Sequence, residues 1–172
     1  MKHANKKIFL HPGQFSFTEK DVHIHTLLGS CIAITLWHPR LHIGGMCHFT
    51  LPSYIGEPVS NRKLSGRYAD DVMQMFRHEA ERYNTILSEY DAKVFGGGNM
   101  IRLKGENVDN TIGTKNASAA MKLLMQENIN IMVMHVGEFG HRRIAFDVMT
   151  GDVWVRHVGK NGERLPAISG RI

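Results

Sequence analysis

An α+β fold is predicted for this chain from three observations: many short β-patterned runs, only two stretches with helical periodicity, and no regular strand–helix–strand alternation. No internal repeat, linker or low-complexity segment interrupts it, so residues 1–172 are expected to form a single domain. At 172 residues and 19.4 kDa, the chain is long enough to bury a proper core without disulfide or metal staples.

The elements follow in order. Residues 7–10 and 22–27 read as short strands. Leu28–Trp37 and Ile43–Phe49 are apolar, β-branched runs on either side of His38-Pro39-Arg40-Leu41-His42, which signals a β-hairpin. A polar loop with Gly, Pro and Ser runs from Pro52 to Ser65. An amphipathic helix is expected over Arg67–Tyr83, because Tyr68, Val72, Met75, Phe76, Ala80 and Tyr83 recur at three- and four-residue steps. Ala92–Phe95 reads as a strand ending in Gly96-Gly97-Gly98-Asn99. A second helix should span Thr114–Glu127 with Ala117, Ala120, Met121 and Leu124 inward. Strands near 129–136, 143–148 and 153–158 complete the chain, the last two joined by the hairpin signal Thr150-Gly151-Asp152.

Composition narrows the function classes. Hydrophobic residues make up 42% and charged residues 22%, values of an ordinary globular protein and not of a disordered one. No apolar run approaches the roughly 18–20 residues that a membrane span needs. After the basic Met1–Lys7, only Ile8, Phe9 and Leu10 precede His11 and Pro12, too short for a signal peptide, so a cytoplasmic location is expected. The net charge of +5 permits attraction to an acidic partner. Because Lys and Arg are scattered, with no run longer than a pair and no interleaved aromatics, nucleic-acid binding is not expected. Two cysteines are too few for a disulfide framework.

The hairpin carries the chemistry. If it folds symmetrically about Pro39 and Arg40, Cys31 lies directly opposite His48. Opposed residues of an antiparallel pair have Cβ atoms roughly 4.5–5.5 Å apart on one face, so a thiol would sit beside an imidazole. Gly29 and Ser30 lead into Cys31, and glycine lets substrate approach closely while the backbone N–H groups around Ser30 and Cys31 offer part of an oxyanion hole. A cysteine–histidine pair needs a third group to orient the ring. Thr26 is the favoured candidate, with His25 open because a one-residue slip exchanges the faces. Strand alternation puts Cys47 on the face opposite His48, as a small buried hydrophobe that does not bridge to Cys31. The competing reading of Cys31 is a buried structural cysteine beside a self-satisfied histidine.

Other features add less. Histidines are abundant, 11 in all, and His23 and His25 would share a strand face. The chain has no HExxH and no paired CxxC, so neither a metal nor a cofactor is expected. Gly96–Asn99 lacks the spacing and the lysine of a nucleotide loop and reads as a tight strand-to-loop turn lining the cleft. Gly137–Arg143 reads as a solvated, charged loop between strands.

Taken together, these blocks resemble the CheD family of chemoreceptor glutamine deamidases of bacterial chemotaxis. The resemblance rests on Thr26-Leu27-Leu28-Gly29-Ser30-Cys31 and on Gly45-Met46-Cys47-His48-Phe49-Thr50-Leu51-Pro52. It continues through Gly66-Arg67-Tyr68-Ala69-Asp70, Lys93-Val94-Phe95-Gly96-Gly97-Gly98, Ile112-Gly113-Thr114-Lys115-Asn116, Arg143 and Thr150-Gly151, spanning about residues 8–160. No single motif carries it. The resemblance implies a sandwich of mixed β-sheets with flanking helices, similar to bacterial deamidating toxins. It implies that Cys31 is the nucleophile, His48 the general base and then acid, and Thr26 the third residue. The implied substrate is a glutamine side chain on the cytoplasmic helices of a methyl-accepting chemoreceptor, with glutamyl methyl ester hydrolysis as a second activity of the same site. A different class of function, a non-catalytic regulator bound to a CheC-type phosphatase, is also implied. A thiol protease or acyltransferase ranks last, because no feature of the chain defines a peptide-cleaving pocket.

Overall fold

In the computed structural model, which describes residues 6–100 and 107–159, the apolar runs are sorted into two sheets and two helices. One sheet holds β1 (Lys6–Leu10), β3 (Val22–Leu28), β8 (His141–Asp147) and β9 (Val153–Val158), side by side in that order. The other holds β2 (Phe15–Thr18), β4 (Ile32–His38), β5 (Ile43–Cys47), β6 (Asp91–Gly96) and β7 (Asn130–Val136), in the order β2-β5-β4-β6-β7. β1–β3 and β6–β7 are parallel and the other ladders antiparallel, so both sheets are mixed. The helices α1 (Ala69–Arg82) and α2 (Ile112–Gln126) cover the outer face of the five-stranded sheet. The α+β sandwich expected from the sequence is the fold observed.

The middle layer explains its own sequence. β4 is covered on both faces and therefore reads as a nearly continuous apolar run, Ile32-Ala33-Ile34-Thr35-Leu36, all of it buried. Ile32, Ile34 and Leu36 pack toward the helices with Val72, Phe76, Ala120 and Leu124. Ala33, with Met46 and Phe95, packs toward Ile24, Leu28, Ile144 and Phe146 of the four-stranded sheet. β3 has one wet face and alternates, with Val22, Ile24, Thr26 and Leu28 buried and His23, His25 and Leu27 more exposed.

Four local expectations are corrected. β2 was not expected; its four residues gain their partners only by pairing with β5. Met121 points outward, 42% exposed, and the inner face of α2 is instead Gly113, Asn116, Ala120 and Leu124. Gly137–Arg143 is not simply a solvated loop. Its second half opens β8, and Arg142 is fully buried, donating to His135 Nδ1 and to the Gly137 carbonyl at 2.7 Å each.

The fourth correction concerns the hairpin. The ladder pairs Thr35 with Met46, Leu36 with Gly45, Trp37 with Gly44 and His38 with Ile43, so its mirror point lies between Arg40 and Leu41 and not between Pro39 and Arg40. The cause is a four-residue turn. The His42 N–H closes it on the His38 carbonyl at 2.9 Å, with His42 in the left-handed region at φ 52°. His38 Nδ1 accepts from the N–H groups of Arg40 and Leu41, at 3.3 Å each, and caps the turn from inside. At Gly44, any Cβ would run into the Leu36 carbonyl oxygen, so the two strands approach closely only because this residue is glycine.

Candidate active site

The corrected register moves Cys31 off the position directly opposite His48. Ile32, the first residue of β4, bridges Phe49, two residues past the end of β5, in the same register as the ladder, and Cys31 lies in the bend one residue before that bridge. The displacement is two residues, an even number, so the faces are kept. Phe49 and Ile32 pack toward the helices, while Cys31 packs toward the four-stranded sheet. Extended from the Ile32–Phe49 bridge, the register puts Cys31 and His48 on the same face as diagonal positions, a relation that in a regular antiparallel pair spans roughly 7–8 Å. Cys31 is half-buried and therefore reachable, whereas Cys47 lies wholly inside the helix-facing core.

The third residue comes from the other sheet. Thr26, on the inner face of β3, stands 2.8 Å from His48 Nδ1 and 2.7 Å from the Leu10 carbonyl of the adjacent β1. A carbonyl only accepts, so the single hydroxyl proton goes to Leu10, and Thr26 Oγ1 must accept from His48. The imidazole therefore carries its proton on Nδ1 and presents a bare lone pair at Nε2. That Nε2 is buried and has no hydrogen-bond partner among the described residues. His25 lies on the outer face, stacked on Phe9 with ring centroids 5.1 Å apart, and does not share the face of Thr26.

The backbone of His48 is fixed from both sides. Its N–H donates to the Gln14 carbonyl at 3.0 Å and its carbonyl accepts from Gly13 at 2.7 Å. Burial depresses the His48 pKa to about 4, helped by the charge of nearby His11 and opposed by the Leu10 carbonyl. Burial also raises the Cys31 thiol above its ordinary value. Desolvation favours the neutral form of each group, so the resting pair is thiol and imidazole. His11, Leu10, Gly13 and Gln14 were not singled out from the sequence. Their only signal was the short strand expected over residues 7–10, which ends at Leu10 and precedes the other three, and it says nothing about the residues that strand faces.

The lead-in to Cys31 is clamped by the glycine strap after β6. Gly97 N–H donates to the Cys31 carbonyl at 2.8 Å and Gly98 N–H to the Gly29 carbonyl at 2.9 Å. Gly96 and Gly97 take φ of 107° and 63°, which lets the strap turn tightly beneath the loop. The tight strand-to-loop turn expected at Gly96–Asn99 is observed, packed against the loop that carries Cys31. Among the described residues no group of three or more His, Cys, Asp or Glu side chains is placed to hold a metal ion, and no helix is long and apolar enough to cross a membrane.

Comparison with known proteins yields one family. The family described as CheD chemotactic sensory transduction matches residues 50–157, a stretch that starts two residues after His48 and leaves out Thr26 and Cys31. Whole-chain relatives extend the likeness. A probable chemoreceptor glutamine deamidase CheD 3 of Dechloromonas aromatica is 44% identical over 150 residues, covering 87% of this chain and 86% of its own. A probable chemoreceptor glutamine deamidase CheD of Pseudomonas savastanoi pv. phaseolicola is 41% identical over 152 residues, covering 88% and 84%. A more distant one from Leptospira interrogans, a probable chemoreceptor glutamine deamidase CheD 1, is 35% identical over 153 residues, covering 86% and 90%.

Proposed function

This chain belongs to the CheD family, and we propose that it is a deamidase that converts glutamine side chains of chemoreceptors to glutamate through a thioester on Cys31. The observation that carries the proposal is the Leu10–Thr26–His48 relay, which leaves Nε2 bare on the face that Cys31 shares. The names of the relatives, chemoreceptor glutamine deamidases, support the choice of substrate. A receptor's cytoplasmic helices are the partner in this reading, and the enzyme acts on the cytoplasmic side.

The chemistry follows from the groups present. Both groups rest neutral, so the Cys31 proton passes to His48 Nε2 as sulfur attacks the carboxamide carbon. The carbonyl oxygen becomes an oxyanion in front of the backbone N–H groups of Ser30 and Cys31. His48, now doubly protonated, returns the Nε2 proton to the amide nitrogen, which leaves as ammonia. A water then gives its proton to Nε2 and attacks the thioester carbon. The second tetrahedral adduct collapses, sulfur leaves as thiolate and recovers the proton from His48. The net change is glutamine plus water to glutamate plus ammonium, the ammonia taking up the proton that the new carboxylic acid releases, which adds one negative charge to a receptor helix. A glutamyl methyl ester enters the same cycle with methanol as the leaving group.

The test is direct. Incubated with a chemoreceptor cytoplasmic fragment, the protein should release ammonia and convert specific glutamines to glutamate, read by peptide mass spectrometry. Cys31→Ala should do neither. Cleaved fragments would instead assign a protease, and binding to receptor or CheC-type phosphatase with no change in glutamine mass would assign a regulator.

A further inference from the structure

Among the described residues Asn116 bonds none of the proposed catalytic side chains, yet it joins the two chain segments that carry them. It sits on α2, fully buried, and its Nδ2 donates to the Ser30 carbonyl at 3.2 Å and to the Thr50 carbonyl at 2.9 Å. Ser30 immediately precedes the nucleophile, and Thr50 lies two residues beyond the base. Both amide protons are spent there, while Oδ1 is buried with no partner among the described residues. An apolar side chain of similar size would fill this place without an orphaned acceptor, so the amide is explained by its two donor contacts and not by packing.

With the Gly98 and Gly97 N–H groups on the Gly29 and Cys31 carbonyls, three successive carbonyls of the cysteine loop are held by three separate donors. A trans peptide points its N–H opposite to its C=O. Fixing the Gly29 and Ser30 carbonyls therefore aims the N–H groups of Ser30 and Cys31 the other way. Neither of these two N–H groups bonds an acceptor among the described residues. Two adjacent unspent donors beside a thiol are what a tetrahedral oxyanion requires.

We infer that Asn116 is a positioning residue of the oxyanion hole: it holds the Ser30–Cys31 peptide so that the Cys31 N–H faces the oxyanion, and fixes that donor relative to His48 through Thr50. The assignment rests on Cys31 being the nucleophile. α2 is seated for the task. At Gly113 any Cβ would collide with the Gly97 carbonyl, so the helix start lies directly on the strap. The Thr111 hydroxyl caps that start, accepting from the Thr114 N–H at 3.2 Å.

The experiment pairs two reactions of the same thiol in Asn116→Ala. Ammonia release from a chemoreceptor cytoplasmic fragment passes through an oxyanion; alkylation of Cys31 by iodoacetamide does not. Loss of one oxyanion donor lowers kcat by roughly 100-fold or more. The expected result is that fall in kcat with KM and the alkylation rate both within about twofold of wild type. Wild-type kcat, or a parallel fall of kcat and alkylation, overturns the assignment. Should Asn116→Ala not fold, Asn116→Ser, polar but too short to span both carbonyls, is read by the same two rates. Cys31→Ala separates the two levels. If it stays active the thioester reading fails, whereas an inactive Cys31→Ala beside a fully active Asn116 variant removes only the role of Asn116.

Discussion

Replacing Thr26 with valine tests the relay at its centre, because valine keeps the shape of threonine and removes only the hydroxyl. Thr26 is 6% exposed, so water does not readily stand in for it. Two hydrogen bonds disappear, 2.7 Å to the Leu10 carbonyl and 2.8 Å from His48 Nδ1, and each of these buried groups loses the Thr26 hydroxyl as its partner. At about 1–2 kcal/mol for each group so stranded, Thr26→Val should cost about 3 kcal/mol of stability. For a domain of this length that lowers Tm by roughly 6–12 °C. The effect on chemistry is separate. The imidazole loses the acceptor that fixes its tautomer and ring angle, and a misplaced base lowers kcat by roughly 100-fold. Calorimetry, ammonia release and the nitrogen-15 chemical shifts of the His48 ring measure the three effects. The wild type should show Nδ1 protonated and Nε2 bare, the variant a mixture. Thr26→Ser, which keeps the hydroxyl, should stay within a few-fold of wild-type kcat. A Thr26→Val protein with wild-type kcat and an unchanged tautomer refutes the relay.

Further outcomes follow from the same geometry. With the His48 pKa depressed to about 4 from an ordinary 6.5, the base stays neutral at mildly acid pH, so the acid limb of kcat/KM should fall near pH 4; a limb near 6.5 contradicts the burial argument. The same shift has a stability sign. The unfolded chain binds the proton more tightly, so stability is lost as pH falls from 6.5 through 4, by about 3 kcal/mol in denaturant titrations. Iodoacetamide on the native protein should label Cys31 and spare Cys47, which is fully buried with its thiol pushed up to about 12; labelling of Cys47 first would reverse the assignment of faces. Gly96→Ala places a Cβ against the Cys31 carbonyl at φ 107°, so it should cost about 1–3 kcal/mol and lower kcat together, measured by thermal melts and ammonia release.

What was legible in the sequence was periodicity. A period of two puts Cys31 and His48 on one face and Cys47 on the other, and the two-residue error in register left those faces unchanged because it was even. Turn length was not legible. It depends on His38 capping the turn with Nδ1 and on the left-handed His42, both tertiary outcomes of a five-residue string. Thr26 could be nominated by type, but its contact with His48 joins two different sheets, and no local pattern states which strands face each other. β2 is too short to announce itself without β5. Arg142 looked solvated because charge is usually exposed, and its burial is compensated by His135 and the Gly137 carbonyl, contacts the chain makes only once folded.

Trapping the acyl-enzyme tests the central step most directly. A reaction with chemoreceptor fragment, quenched in acid and analysed by intact-mass spectrometry, should contain a covalent adduct equal to enzyme plus substrate minus ammonia. Peptide mapping should place the adduct on Cys31, and hydroxylamine should cleave it as a thioester. Glutamine converted to glutamate at the wild-type rate by Cys31→Ala, with no adduct on any cysteine, would contradict it.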